Sequence, residues 1–269
     1  MSSVKLLQGD CLELMKDIPD GSVDCIITDP PYGTTHAKWD KKVDLKVFFS
    51  EAFRVLKQNG ALACFCQLPF GVDLINACRK DFRYEIIWKK SISGGFLNAN
   101  KMPLRAHENI FIFYRKLPVF NKQYTDGKPY KQANGCAKTS CLYGKQKTFT
   151  TINLGWRNPI DVLSIKSDRN GDHPTQKPVE LMEWLVKTYT NPGDTVLDCF
   201  MGSGTTGRAC VRNGRNFIGM ELQEKYFEIA KNRIEGELVT AGLNDEVPPS
   251  WDLSTGEFHA GGVHLNGEK

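Results

Sequence analysis

A strand that ends on two prolines constrains this chain more than any other feature. The run Val23-Asp24-Cys25-Ile26-Ile27 is apolar and β-branched, and Thr28-Asp29-Pro30-Pro31-Tyr32-Gly33 follows it directly. Proline cannot donate to a strand ladder, and each proline holds the residue before it extended, so the backbone leaves the sheet stiff. One carboxylate (Asp29), one rigid carbonyl (Pro30) and, beyond Pro31, one aromatic ring (Tyr32) arrive at one spot. A planar amino group conjugated to an aromatic ring needs such partners: two acceptors for its hydrogens and a face to stack on. The competing reading is a proline-rich surface turn.

The remainder of the chain alternates strands with helices. Strands are expected over 4–7, 61–66, 84–88, 195–200 and 216–221. Helical spacing falls over 11–18, over Leu45, Phe48, Phe49, Ala52, Phe53 and Leu56 with Asn59-Gly60 closing it, and over 70–80. Pro178 suits the first turn of a helix carrying Leu181, Leu185 and Tyr189, and further helices follow the strands at 200 and 221, the last over 225–234. Such alternation predicts an α/β fold with a mostly parallel, doubly wound sheet. The pattern breaks over 91–170, where only 109–114 and 160–165 read as strands and residues 116–158 are polar, basic and aperiodic. The expected organisation is one domain over 1–236 with 91–170 inserted, then a loosely attached tail over 237–269 rich in Gly, Pro and Asp.

Composition narrows the setting. Hydrophobic content of 41% with 25% charged residues, no apolar run of membrane-span length and a polar start (Met1-Ser2-Ser3-Val4-Lys5) predict a cytoplasmic protein without a membrane partner. Nine scattered cysteines, mostly inside apolar elements, read as reduced core residues. Neither Cys64 and Cys66 nor Cys136 and Cys141 has the second pair or nearby histidine of a zinc site, so no metal is expected. The net charge of +4 conceals an asymmetry: residues 85–170 hold 15 Lys+Arg against 5 Asp+Glu, which leaves the remainder of the chain at −6. A cationic segment with interspersed Tyr, Trp and Asn is what a polyphosphate surface requires, although a solvated basic face would read the same.

A second constellation follows the strand at 195–200. Asp198-Cys199-Phe200-Met201-Gly202-Ser203-Gly204-Thr205-Thr206 is a strand end, a glycine-rich turn and a helix start, where a ligand can approach the backbone and meet free amides. Glu221 ends the next strand, seventeen residues after Gly204, where an acid can accept both hydroxyls of a ribose. The chain has no Gly-x-x-x-x-Gly-Lys-[Ser/Thr], which disfavours a nucleoside triphosphate.

Asp29-Pro30-Pro31-Tyr32, the basic insertion, His173-Pro174-Thr175-Gln176-Lys177-Pro178 and then Asp198-x-Phe200-x-Gly202-Ser203-Gly204 together resemble the permuted β class of DNA amino-methyltransferases, over about residues 4 to 236. The resemblance implies a Rossmann-like S-adenosylmethionine-dependent fold of about seven strands, one antiparallel, with target recognition inside 91–170. It implies S-adenosylmethionine as cofactor and double-stranded DNA as partner, and leaves a homodimer and a companion restriction endonuclease open. By position, Asp29 and the Pro30 carbonyl would hold the target amine, and Tyr32 would stack on the base. Phe200 would pack on the cofactor adenine, Gly202 and Gly204 would admit its methionine part, and Glu221 would bind its ribose, with Asp198, Ser203, Thr205 and Thr206 in the same turn. Asp10 would face the adenine amino group, and Thr175, Lys177 and Pro178 would line the amino-acid end. Trp88-Lys89-Lys90 and His107-Glu108-Asn109 resemble strands flanking the base pocket. Lys89, Lys90, Arg105, Lys122, Lys128, Lys131 and Lys138 are the expected nucleic-acid contacts. Asp at position 29 leans toward adenine as the base, cytosine N4 being the alternative; a Rossmann oxidoreductase or a non-catalytic binder has no use for Asp-Pro-Pro-Tyr beside the pocket. Methylation at cytosine carbon 5 would call for a Pro-Cys dipeptide, which the chain lacks.

Overall fold

Alternating side chains build a sheet that is buried on both faces. In β3 (Leu56–Cys66), Ala61, Ala63 and Phe65 point to one layer and Leu62, Cys64 and Cys66 to the other; in β5 (Arg105–Phe113), Ile110 and Ile112 oppose Phe111 and Phe113 in the same way. The structure, a computed structural model, describes residues 2–33, 40, 42–134, 149–168, 176–241, 250–252 and 257–259.

The chain begins with β1 (Val4–Gln8), α1 (Cys11–Leu14) and β2 (Val23–Thr28), and continues through α2 (Leu45–Val55), β3 and α3 (Phe70–Ala77) to the hairpin of β4 (Phe82–Gly94) and β5. Four short strands follow: β6 (Thr125–Asp126), β7 (Tyr130–Asn134), β8 (Phe149–Asn153) and β9 (Trp156–Arg157). Then come β10 (Val162–Ser164), α4 (Val179–Tyr189), β11 (Thr195–Asp198), α5 (Thr205–Arg212), β12 (Asn216–Glu221), α6 (Glu224–Thr240), β13 (Ser250–Asp252) and β14 (Glu257–His259). The main sheet has the order β10-β4-β5-β3-β2-β11-β12-β1-β14-β13. Its centre, from β3 to β1, is parallel, and β5 runs antiparallel between β3 and β4. The carboxyl ends of β1, β2, β3, β11 and β12 therefore share one edge, where open α/β sheets carry their ligands. Helices α1 to α3 cover one face and α4 to α6 the other. Phe48 and Phe65, fully buried on opposite faces, each contribute roughly 1.5–3 kcal/mol of burial.

Three expectations change here. Asn59-Gly60 do not close α2, which ends at Val55; they lie inside β3, whose register against β2 shifts between Val23↔Leu56 and Cys25↔Ala61. A Cβ on Gly60 would stand 2.7 Å from the Asp24 carbonyl oxygen, so glycine serves this bulge rather than a helix end. Helix α6 passes Gly236 and reaches Thr240, and the backbone of β13 and β14 forms a hairpin that pairs with β1, so part of the tail extends the sheet. Within 91–170, β5 and β10 belong to the main sheet, and the separately compact unit is Lys122–Ile160. That unit holds the β7–β8 hairpin and the β6–β9 pair, with Tyr124 edge-on to Trp156 at 4.6 Å between centroids and the Arg157 guanidinium 4.9 Å from the centre of the Tyr130 ring. Among the described residues no helix is long and apolar enough to cross a membrane.

Candidate active site

Strand β2 delivers the Asp-Pro-Pro-Tyr turn to the carboxyl edge. The Tyr32 hydroxyl donates to Asp29 Oδ1 at 2.8 Å, and its ring stacks on Phe70, the first residue of α3, with centroids 5.0 Å apart. Burial, then the neighbouring Asp29 charge, pushes the Tyr32 phenol well above its ordinary range, so it stays a neutral donor. Asp29 Oδ2 is paired with the ammonium of Lys177, which reaches it from the residue before the cap of α4. A carboxylate offers about four lone-pair directions, so two donors leave room for an incoming amine.

Lys177 is only 6% exposed, and it also lies 3.3 Å from Glu108 Oε2 and 5.1 Å from the centre of the Phe65 ring. Burial opposes its charge, but Asp29 and Glu108 outweigh that and hold it above the usual lysine value. Glu108 sits on β5 at the cavity wall, where its other oxygen takes Lys90 and the amide of Gln67 at 3.3 Å. Burial would raise this carboxyl, yet Lys177 and Lys90 bring it below the ordinary carboxylate range. Asp29, Lys177, Glu108 and Lys90 thus form one chain of alternating charge. Lys177, expected at the amino-acid end of a cofactor, lines the cavity and turns its ammonium to the two carboxylates.

The glycine-rich turn is tied together by Asp198. Its Oδ1 accepts from the Thr28 hydroxyl at 3.0 Å and the Phe200 amide at 3.1 Å, and its Oδ2 from the Thr206 hydroxyl at 2.6 Å. Burial raises this carboxyl to about 7 even against those three donors. It joins the ends of β2 and β11 to the start of α5. Ser203 donates to Gln176 at 3.1 Å, which links the turn to the segment carrying Lys177. Gly202 has φ +51 and nothing within 4 Å of where a Cβ would be, so the backbone is open there to the cavity it lines. Gly204 differs: its Cβ would meet Ala230 at 2.9 Å, so its role is the close approach of α6. Glu221 Oε2 accepts from the Gly202 amide at 3.0 Å and Oε1 from the Gln223 amide at 2.8 Å, and burial raises its carboxyl. Asp10 caps α1 by accepting from the Leu12 amide at 2.8 Å and still lines the cavity.

One cavity of about 710 Å³ joins these groups. Asp29, Pro30, Pro31, Tyr32, Lys177 and Glu108 line one part of it, and Asp10, Asp198, Phe200, Gly202, Ser203, Thr205, Thr206 and Glu221 another. Pro178, the cap of α4, and Gly204, the cap of α5, are not in its lining, and Thr175 lies outside the described residues. Of the expected nucleic-acid contacts, Lys89 is exposed, Lys90 is engaged with Glu108, and Arg105 is exposed while donating to Gln67 at 2.9 Å. Lys122, Lys128 and Lys131 are exposed on the separate unit Lys122–Ile160, and Lys138 lies outside the described residues. Sequence reasoning set Glu108 beside the base pocket only as part of a flanking strand, without its pairing to Lys177 and Lys90, and missed Gln67. The signal was available: Glu108 is a charge abutting an apolar strand, and Gln67 directly follows the carboxyl end of another.

The seven described cysteines are buried and unpaired, and Cys136 and Cys141 lie outside the described residues. Burial lifts Cys11 to about 12, so it is an inert thiol.

A profile of the DNA methylase family matches residues 23–232, which contain both the Asp-Pro-Pro-Tyr turn and the glycine-rich turn. The chain belongs to the N6/N4 DNA methylase family. This member is 29% identical over 257 residues to DNA adenine methyltransferase YhdJ of Escherichia coli (strain K12), covering 86% of this chain and 82% of YhdJ. Among solved structures it resembles the M1.HpyAVI–SAM complex, at 29% identity and TM-score 0.61 over 86% of this chain and 99% of that one. It shares the fold of the cytosine-N4-specific PvuII DNA methyltransferase, with TM-score 0.63 over 90% of this chain and 92% of that one, at 18% identity.

Proposed function

We propose that this DNA methylase transfers the methyl group of S-adenosylmethionine to the exocyclic N6 of adenine in double-stranded DNA. The observation that carries the reading is that one cavity is lined by both the Asp29–Tyr32 turn and the Gly202–Glu221 groups. The residues suit the cofactor. Gly202 leaves backbone open, Glu221 keeps lone pairs for two hydroxyls beyond its two amide donors, and Phe200 and Asp10 line the same space. A volume of about 710 Å³ lies in the range of small-molecule sites and leaves room for a base. When bound, the cofactor supplies a sulfonium-activated methyl group.

A target base inside a duplex must be rotated out of the stack to reach such a pocket. The Tyr32 ring, backed by Phe70, then offers a fixed face to stack on. Asp29 and the Pro30 carbonyl would each accept a hydrogen bond from the amino group, which would draw the nitrogen lone pair out of conjugation and orient it toward the cofactor side of the cavity. Lys177 and the Tyr32 hydroxyl hold the Asp29 carboxylate in place, so no reorganisation is needed at the moment of transfer. Adenine is favoured over cytosine by the aspartate at position 29 and by the likeness to YhdJ, whose name specifies adenine.

Single-molecule sequencing of DNA from cells expressing the protein reads the modified base and its site together. N6-methyladenine at a fixed sequence is the expected result; N4-methylcytosine would overturn the choice of base. Asp29→Ala should abolish tritium transfer while S-adenosylmethionine binding, read by calorimetry, stays largely intact. Substantial turnover by that variant would remove Asp29 from its role.

A further inference from the structure

The turn between β4 and β5 is apolar at its surface, and nothing in the site described so far uses it. Phe96 is 77% exposed and Leu97 82%, with Ile92, Met102 and Leu104 exposed around them. The turn is built rather than slack. Gly95, at φ +85, opens a 3-10 turn over Phe96–Asn98, and amides of Asn98, Ala99, Lys101 and Met102 close successive hydrogen bonds of 2.8 to 3.1 Å. The backbone therefore holds the large side chains outward at a cost in exposed apolar surface.

Its place is determined by register. β5 pairs Cys66 of β3 through Asn109, so residues 105–108 extend past the carboxyl edge of the sheet, and the turn lies beyond them. Glu108 lines the cavity, and Arg105, three residues and about 10 Å further along the strand, donates to Gln67 of the same lining. The turn thus stands next to the mouth of the pocket. From Ile86 to His107 the chain has Lys89, Lys90, Lys101 and Arg105 and no acidic residue, so this stretch alone accounts for the net charge of +4 of the whole chain.

We infer that Phe96 and Leu97 form a wedge that enters the DNA base stack beside the target, filling the space that the extruded base leaves. The inference rests on the methyltransferase reading above. Extrusion opens a gap one nucleotide from the pocket that receives the base, and apolar side chains between unstacked base steps are a recognised way to hold such a gap. The exposed Lys89, Lys101 and Arg105 match the phosphates on either side. A second copy of the chain on this turn would cover the mouth that the base has to enter.

The test uses the full chain, S-adenosylmethionine and one unmethylated plasmid in two forms, relaxed closed-circular and negatively supercoiled. The sites are identical, and only the cost of unstacking differs. For Phe96→Ala/Leu97→Ala the methylation rate falls at least tenfold on relaxed plasmid and threefold or less on supercoiled plasmid, with cofactor affinity unchanged. In a second measurement, Phe96→Trp shows quenching of tryptophan fluorescence on adding duplex, beyond that of the parent with the same addition. Parent-like rates of the double variant on both forms, an equal loss on both, or no added quenching would each overturn the wedge. So would a dimer of the parent that the double variant loses in ultracentrifugation, since a second copy would then be the occupant. Failure of the methyltransferase reading looks different: the parent itself would methylate neither plasmid.

Discussion

Lys177→Met removes one charge from the middle of the buried chain Asp29–Lys177–Glu108–Lys90 while keeping an unbranched side chain of similar length. Side-chain exposure is 6% for Lys177, 24% for Asp29 and 9% for Glu108, so solvent cannot stand in for the lost ammonium. Removing one member of a buried pair costs about 3–5 kcal/mol. Lys90 remains on Glu108 and the Tyr32 hydroxyl on Asp29, which places the expected loss near the lower end, about 3 kcal/mol at pH 8. The pH dependence separates this cause from a packing defect. In the parent, Lys177 and Lys90 hold the Glu108 carboxyl low against its burial; in the variant, burial gains weight and the folded-state value rises. Where it rises above the unfolded value of about 4.3, the folded state binds the proton more tightly, so stability is fullest below that value and is lost as pH climbs through the raised one. The deficit relative to the parent is therefore smaller at pH 5 than at pH 8. Urea unfolding at the two pH values measures it, and Lys177→Met/Glu108→Gln should recover at least half of the loss at pH 8. An identical deficit at both pH values, with no recovery in the double variant, would refute the electrostatic account.

Glu221→Ala should weaken S-adenosylmethionine binding by up to roughly 1.5–3 kcal/mol per charged hydrogen bond lost, as read by calorimetry; unchanged affinity would place the ribose elsewhere. Neutralising Lys122, Lys128, Lys131 and Lys138 together should weaken duplex binding and flatten its salt dependence, by about 0.9 in the log–log slope for each phosphate contact removed, with cofactor affinity unaffected. Parent-like binding at every salt concentration would make those lysines a solvated face.

The parts legible in the sequence were those set by local chemistry. Two prolines stop β2 wherever it lies, and a strand, a glycine and a helix start mark the turn at Gly202 without knowledge of its neighbours. Those signals located Asp29, Tyr32, Phe200 and Glu221 on one cavity because strand ends in a parallel sheet share an edge. Where local chemistry competes with pairing, the local reading failed. Asn59-Gly60 carry the composition of a helix end, yet β3 takes them in as a bulge between Leu56 and Ala61, both of which pair with β2, and the close Asp24 carbonyl calls for the glycine there. The backbone of 257–259 likewise finds a place on β1 that composition did not announce.

Two features belong to the tertiary structure alone. Gly202 and Gly204 are indistinguishable as letters, but one faces open cavity and the other faces Ala230 of α6, a difference decided by how the helices pack. Lys177 lies 148 positions from Asp29, and no spacing rule links them. Only the folded sheet sets β2, β5 and the cap of α4 around one point, and only there does a buried ammonium have to find carboxylates, because an unpaired charge out of water costs more than any alternative arrangement of the segment.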